Sequence, residues 1–444
     1  MENLYTPAPT DAGPTLWKKA KSLIPGGGML LSKRAEMFLP ELWPAYYKSA
    51  KGIVVTDIDG REFRDFYLMG VGTNSLGYGH PEVDEAVVAQ VGRGNMSSLN
   101  NPGEPELAER LIELHPWADM ARFTRSGGEA MAVAVRIARA SSGRNHVAVC
   151  GYHGWHDWYL SLNLADPNGL DSMLLPGLEP NGVPDQLAGT THAFEYGDFA
   201  EIEKLAQSVD LAAIVLEVAR GAEPDQVFLQ ALRELCTSRS IVLVFDECTS
   251  GFRETYGGLH LSTPVEPDMA MFGKALGNGY AVNAVIGRSS VMEAAQTSFI
   301  SSTFWTEGVG TAAANKTLEV MKREESWELI SQTGRTVKEA WKTLASRNSL
   351  EIEVFGLDAL AMFRFLDDRH NQFKTFITQE MLKKGFLAGT SFYVSTAHQP
   401  SDVADYLDAL SDVFSEIERL RDSSDFASKL DSGEAHQTFK RLSN

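Results

Sequence analysis

The chain has 444 residues, 43% of them hydrophobic, enough for two ordinary domains, since single cores stop growing at about 250 to 300 residues. Lys+Arg 40 against Asp+Glu 59 leaves a formal net charge of -19, which argues against a broad electrostatic grip on nucleic acid or anionic lipid. Three scattered cysteines, Cys150, Cys236 and Cys248, exclude a disulfide framework and a zinc-ligand quartet and fit a reducing compartment.

The start "MENLYTPAPTDAGPTLW" has neither a basic head nor an apolar core, so it does not read as a signal peptide, and no later window reaches the apolar length of a membrane span. A cytoplasmic location is expected. The proline-bearing first residues read as an arm, followed by a short amphipathic helix in "TLWKKAKSLI" and the glycine turn "PGGG" at 25–28. "GIVVTDIDGREFRDFY" alternates apolar and polar residues around Asp59-Gly60, the pattern of a β-hairpin. Helices are expected at 105–114 and 128–141. Three β-branched runs follow, "HVAVC" at 146–150, "AAIVLE" at 212–217 and "IVLVFD" at 241–246, which read as strands buried on both faces of a parallel sheet. Helical stretches at 199–208 and 227–239 separate them, giving βαβ units with right-handed crossovers. Beyond residue 305 a long helical region at 309–347, an alternating strand "ALAMFRF" at 359–365 and a helix near 402–421 make a smaller α+β unit. The last twenty residues are polar and read as a partly ordered tail.

In open parallel sheets ligands bind beyond the carboxyl ends of the strands, where loops and helix N-termini converge. The first run ends in "CGYHGWHDW", with Tyr152 and His153 at the edge; the second ends in Glu217, the third in Asp246, and "DMAMFGK" in Lys274. In "RSGGEAMAVAVRIAR", Ser126, Gly127 and Gly128 open a helix whose free N–H groups and dipole suit a phosphate. A phosphate cup, a ring to stack on, an acid for a pyridinium proton and a lysine for an imine are what a planar phosphorylated aldehyde needs, and pyridoxal 5'-phosphate fits that set. Asp246 is the candidate for the ring nitrogen. Lys274 would bind the aldehyde, be displaced by an incoming amine, and then shuttle the Cα proton. Singly, each residue has a plainer reading: a glycine turn, a strand-end aromatic, a solvated acid pair, a surface lysine. Their joint placement at strand ends and a helix start favours the cofactor. Alternation along the strand points Glu247 away from Asp246, toward a turn or an ion pair, with Arg253 as candidate partner. "HGWHD" sets His153 and His156 three apart beside Asp157, but without HExxH or a cysteine pair no metal site is expected.

These residues resemble the class III pyridoxal-phosphate aminotransferases, most closely the glutamate-1-semialdehyde 2,1-aminomutase branch. The resemblance runs from "PGGG" through "LGYGHPEV", "SGGEA", "YHGWHDW", "FDECTSGFR" and "GKALGNGY" to "STFWTEGVG". It implies an α/β architecture of fold type I: an N-terminal arm and part of a small domain at 1–70, a large cofactor domain with a mostly parallel seven-stranded sheet at 71–305, and a smaller α+β domain at 306–444. It further implies a catalytic set of Lys274, Asp246 and Tyr152. Ser126, Gly127 and Gly128 would cup the phosphate, Tyr152, His153 and Glu217 would border the cofactor, and Cys248 would pack on its ring. Thr303 would reach the phosphate of the neighbouring subunit of a homodimer.

The chain also departs from the family pattern. Gly128 stands where threonine is common and Cys248 where valine is common. The glutamate that the aminomutase branch carries before its "SxAH" and an aromatic near Met69 are both missing, which favours transamination between a donor amino acid and a ketone or aldehyde acceptor. Intramolecular amino transfer, racemisation and an inactive fold-type I binding protein are the alternatives. Arg34, Arg220, Trp305 and Glu307 are the candidate substrate contacts.

Overall fold

The structure is a computed structural model and describes residues 11–173, 176–219, 221–421 and 426–438. It divides into two compact units, Pro81–Glu328 and a second drawn from Met1–His80 and Leu329–Asn444.

The first unit is built on a seven-stranded sheet. In chain order its strands are β1 (Met120–Thr124), β2 (His146–Cys150), β3 (Thr191–Ala193), β4 (Leu211–Glu217), β5 (Val242–Glu247), β6 (Met269–Phe272) and β7 (Asn283–Gly287). In space they run β1-β7-β6-β5-β4-β2-β3. β7 is antiparallel to both its neighbours, and the pairs from β6 across to β3 are parallel. Every residue of β5 and β6 is buried, which explains why these strands read in sequence as unbroken apolar runs. The helices Gly127–Ser142, Phe199–Ser208 and Gln226–Arg239 fall between successive strands. The first of these buries Met131, Val135 and Ile137 in one cluster with Val147, Val215, Val244 and Met271 of the sheet. Asp225 starts the Gln226–Arg239 helix by accepting from the N–H groups of Val227 and Phe228, both at 3.0 Å.

Three strands of this sheet, β1, β3 and β7, escaped the sequence reading, β3 being only three residues long. β1 is only half-buried over most of its length, and its Arg122 turns aside to donate to the carbonyl of Ile300. β7 has only three apolar residues, Ala284, Val285 and Ile286, set between Asn283 and Gly287, so it does not stand out from the loop before it. The helical region expected at 309–347 is two helices, Gly308–Glu324 and Ser326–Arg347. Glu325 breaks it by adopting a left-handed conformation at φ 47. The first of the two packs against the helix Pro81–Arg93.

The second unit holds a four-stranded sheet, Tyr47–Lys51, Val54–Asp57, Glu62–Phe66 and Phe386–Ala388, and a three-stranded one, Ile352–Phe355, Leu360–Phe365 and Ser391–Tyr393. The hairpin read around Asp59-Gly60 is present: Val54 faces Arg64 and Thr56 faces Glu62. Asp57 closes its turn, taking the N–H groups of Asp59 and Arg61 on Oδ1 and Arg61 Nε on Oδ2 at 2.7 Å. The polar tail is more ordered than its composition implies. Phe426 is buried against Phe373 and Phe376, and Asn371 Nδ2 donates to the carbonyl of Ala435 at 2.8 Å. Among the described residues no helix is long and apolar enough to cross a membrane.

Candidate active site

The site grows from the carboxyl ends of the parallel strands, all within Pro81–Glu328. β1 leads into Ser126, the N-cap of the Gly127–Ser142 helix, whose capping box uses Glu129. The Glu129 carboxylate accepts from the N–H groups of Arg125 and Ser126, both at 3.0 Å. Beyond them, the N–H groups of Gly127 and Gly128 begin the helix. Glycine is required at 128: a Cβ there would stand 2.9 Å from the His156 ring. From the other side, Gly154, at φ +102, comes so close that its own Cβ would lie 2.6 Å from Gly128 Cα.

β2 leads through Gly151, whose φ of +120 turns the chain outward. Tyr152 follows with its ring 45% exposed. It rests edge-on against Tyr159 with centroids 6.1 Å apart, and the Tyr159 hydroxyl donates to the Gly151 carbonyl at 2.7 Å. Burial, followed by the fields of Cys248 and Asp246, raises the Tyr152 phenol above its ordinary range. Tyr152 therefore shares its surroundings with the end of β5.

His153 sits elsewhere than expected. The sequence reading put it at the cofactor edge, but it is 1% exposed, with Nδ1 2.8 Å from Asp246 Oδ2 and Nε2 3.2 Å from the Cys150 carbonyl. It lies behind Asp246 and fixes one of its oxygens. Both ring nitrogens thus lie within hydrogen-bond distance of an oxygen. Asp246 Oδ1 accepts the Cys248 N–H at 3.0 Å, so both carboxylate oxygens are held. Glu217, at the end of β4, is in register with Asp246.

Cys248 and Lys274 complete the floor. The Cys248 sulfur would lie 3.3 Å from a Cβ on Gly127 and 3.1 Å from one on Gly273. Burial is the main cause that pushes its thiol up to about 11, so it stays protonated. Lys274 follows Gly273 directly and takes φ 44, a left-handed conformation that side-chain-bearing residues rarely adopt. Its Nζ donates to Thr249 Oγ1 at 2.8 Å. Sequence reasoning passed over Thr249, because nothing in "DECTSGFR" marks it.

Glu247 points the opposite way from Asp246 and is fully buried. It accepts from Ser250 Oγ at 2.5 Å, from the N–H groups of Leu259 and His260, both at 2.9 Å, and from His260 Nδ1 at 2.7 Å. Its side-chain partners are thus Ser250 and His260, where the sequence reading names Arg253 as the candidate. Arg253 is itself buried and donates through Nε to the Thr249 carbonyl at 2.5 Å. The tautomers here follow from the donors around them. Trp117 Nε1 donates to His260 Nε2, and the Gly258 N–H donates to His115 Nε2, both at 2.9 Å. Each Nδ1 therefore carries the hydrogen, directed to Glu247 in one case and to the Leu111 carbonyl at 2.7 Å in the other.

The candidate substrate contacts fare differently. Glu307 is the N-cap of the Gly308–Glu324 helix, accepting from Val309 N at 2.8 Å and Gly310 N at 2.9 Å, and it pairs with Arg125 Nε at 2.8 Å. Its oxygens are committed to holding the helix start, which corrects its reading as a substrate contact. Arg125 also donates to the carbonyls of Trp305 and Glu307. Trp305 packs on the sheet cluster. Arg34 belongs to the other unit, beside Gly26, and Arg220 lies outside the described residues. Thr303 is exposed, in the short helical turn Thr303–Thr306.

A model of the family "Aminotransferase class-III" matches residues 40–401. A 3-aminobutyryl-CoA aminotransferase of Cloacimonas acidaminovorans (strain Evry) is 30% identical over 421 residues, covering 91% of this chain and 97% of its own. A glutamate-1-semialdehyde 2,1-aminomutase of Nitratidesulfovibrio vulgaris (strain DSM 19637 / Miyazaki F) is 31% identical over 419 residues, 89% and 96% of the two chains. Among solved structures, the FumI protein of Sphingopyxis sp. MTA144 in a PLP internal aldimine form superposes with a TM-score of 0.83 at 25% identity, covering 93% of this chain and 97% of its own. An omega-transaminase from Sphaerobacter thermophilus gives 0.80 at 25% identity, covering 93% and 98%. With its sheet, its strand-end lysine and acid, and a family match that spans both units, the chain belongs to the class-III aminotransferases.

Proposed function

We propose that this class-III, pyridoxal-phosphate-dependent aminotransferase moves an amino group from a donor amino acid to a separate ketone or aldehyde acceptor. One observation carries the reading: neighbouring parallel strands deliver a buried, doubly held Asp246 and, two residues beyond the end of β6, Lys274. The chain's own geometry fits the cofactor. The helix start at Ser126–Gly128 offers N–H groups in a place where a Cβ at 128 would collide, Tyr152 presents a half-exposed ring, and Lys274 supplies the amine.

Bound pyridoxal 5'-phosphate supplies an electron-withdrawing ring that lets the Cα–H bond of an attached amine ionise. Ser126, Gly127 and Gly128 hold the phosphate at the positive end of the helix. Asp246, kept in place by His153 and the Cys248 N–H, would hold a proton on the ring nitrogen. Tyr152 and Cys248 would border the ring. Lys274 Nζ takes the proton from the substrate Cα and returns it on the other side of the transfer.

The test is a panel of half-reactions: amines are mixed with the purified holoprotein, loss of the visible cofactor band is followed, and carbonyl compounds are then screened for its return. A donor that bleaches the band and a different carbonyl that restores it are the expected outcome. A band that no amine bleaches would refute the reading. Several relatives are aminomutases, and conversion of one compound with no second substrate would favour that chemistry.

We also propose a homodimer in which Thr303 reaches the cofactor phosphate of the partner. The supporting observation is the apolar surface that the large unit leaves exposed: Val88, Val91, Leu99, Phe299 and Phe304 are 58% to 84% accessible. Light scattering should give twice the chain mass; a fully active monomer would rule the dimer out.

A further inference from the structure

Thr249 has no role in the chemistry described so far, yet its hydroxyl is the acceptor that holds the Lys274 amine, at 2.8 Å. The turn that carries it is braced on both sides. Ahead of it the Cys248 N–H is fixed on Asp246 Oδ1 at 3.0 Å. Its own carbonyl accepts from the buried Arg253 Nε at 2.5 Å, and the Gly251 N–H returns to the Glu247 carbonyl at 2.9 Å. A β-branched side chain on so constrained a backbone has little rotameric freedom. The lysine, by contrast, has a flexible four-carbon stem. The fixed hydroxyl therefore sets where the mobile amine rests. Cys248, which feels the charge of Lys274, stays a thiol because burial pushes it up to about 11, and a thiol is a poor acceptor.

We propose, resting on the cofactor reading above, that Thr249 is a positioning residue for Lys274: whenever the amine is free, the hydroxyl oxygen accepts one of its N–H bonds and leaves the nitrogen lone pair aimed at the substrate Cα. Thr249 touches neither substrate nor cofactor in this role. It acts through the lysine. The same turn thus serves both ends of the cofactor, with Asp246 at its start and Thr249 three residues on.

The test compares full-length wild type with Thr249→Val, which keeps shape and removes the acceptor, and Thr249→Ser, which keeps the acceptor. Two readouts are taken. The first, independent of turnover, is the rate at which cofactor-stripped full-length protein develops the visible band on mixing with pyridoxal 5'-phosphate. The second is the single-turnover rate with a donor from the panel, ordinary and Cα-deuterated. For Thr249→Val both rates should fall roughly fivefold to tenfold, the worth of one orienting hydrogen bond, with a larger deuterium effect and KM within about twofold. Thr249→Ser should recover both. Wild-type behaviour of the valine variant, or a serine variant as slow as valine, would overturn the proposal while leaving the cofactor reading intact. A wild-type protein that never develops the band would overturn both. Should the valine variant not fold, Thr249→Ala is read by the same two criteria.

Discussion

Replacing Lys274 with alanine is expected to lower kcat for amino transfer by at least ~10⁴ while leaving the fold in place. The size follows from the two tasks proposed above for one nitrogen: receiving the cofactor aldehyde and carrying the proton at Cα. The groups shown to act with it, a thiol that burial keeps protonated and the Thr249 hydroxyl, are neither an amine nor a base of comparable strength. The backbone argues that the loss will be chemical and not structural. Lysine at φ 44 already bears the left-handed strain, and alanine bears the same, so the turn keeps its shape. Steady-state rates with the donor and acceptor found by the panel, alongside melting curves, check this. A variant within tenfold of wild type would remove Lys274 from the mechanism.

Acid is expected to weaken the large unit through the buried cluster behind β5. His115 is buried, and burial lowers its pKa from 6.5 to about 4 against the opposing hydrogen bond to the Leu111 carbonyl, with His260 adding a little to the fall and Glu247 opposing it. The unfolded chain takes a proton on this ring as pH falls below about 6.5, whereas the folded chain does so only near 4. The unfolded state therefore binds more protons across that window, and stability declines as pH falls through it. The full effect is about 3 kcal/mol at most. Glu247 adds to the trend at lower pH. Hydrogen bonding from His260 and Ser250 outweighs the desolvation that would raise its pKa and holds it below the usual carboxylate range. Its contribution is present above the ordinary glutamate pKa and lost as pH falls beneath it. Melting temperatures of wild type and His115→Gln between pH 7 and pH 4 provide the measurement. Glutamine can still accept from Gly258 and donate to Leu111 but cannot titrate, so the variant should be less stable at pH 7 and lose less on acidification. Parallel curves for the two proteins would show that His115 does not carry the effect.

The parts of this molecule that could be read in sequence are those whose physics is local. β2, β4 and β5 are short runs of β-branched and apolar residues, because a strand covered on both faces has nowhere to place a polar side chain. Where such a run stops, the first polar residue stands at the strand's end, so Tyr152, Glu217, Asp246 and Lys274 could be named before any coordinates. The glycine pair after Ser126 and the Asp59-Gly60 turn were visible for the same reason. β1, β3 and β7 were not, since the first is half-buried, the second has three residues and the third sets only three apolar residues between Asn283 and Gly287.

The chain alone thus determined the order of β2, β4, β5 and β6 and of the helices between them, the acid and the lysine proposed for a phosphorylated aldehyde, and the glycines at the helix start. The tertiary structure decided how the residues between them are used. His153 and Tyr152 are neighbours in sequence, yet one is sealed behind Asp246 and the other is half-exposed. Glu307 became a helix cap bound to Arg125, and Glu247 found His260 from beyond the turn. Thr249 gained the Lys274 amine, 25 residues distant along the chain. Each of these pairings joins segments that only sheet register and loop closure bring together, and hydrogen bonds act over about 3 Å. Residue type and spacing along the chain carry no such distance.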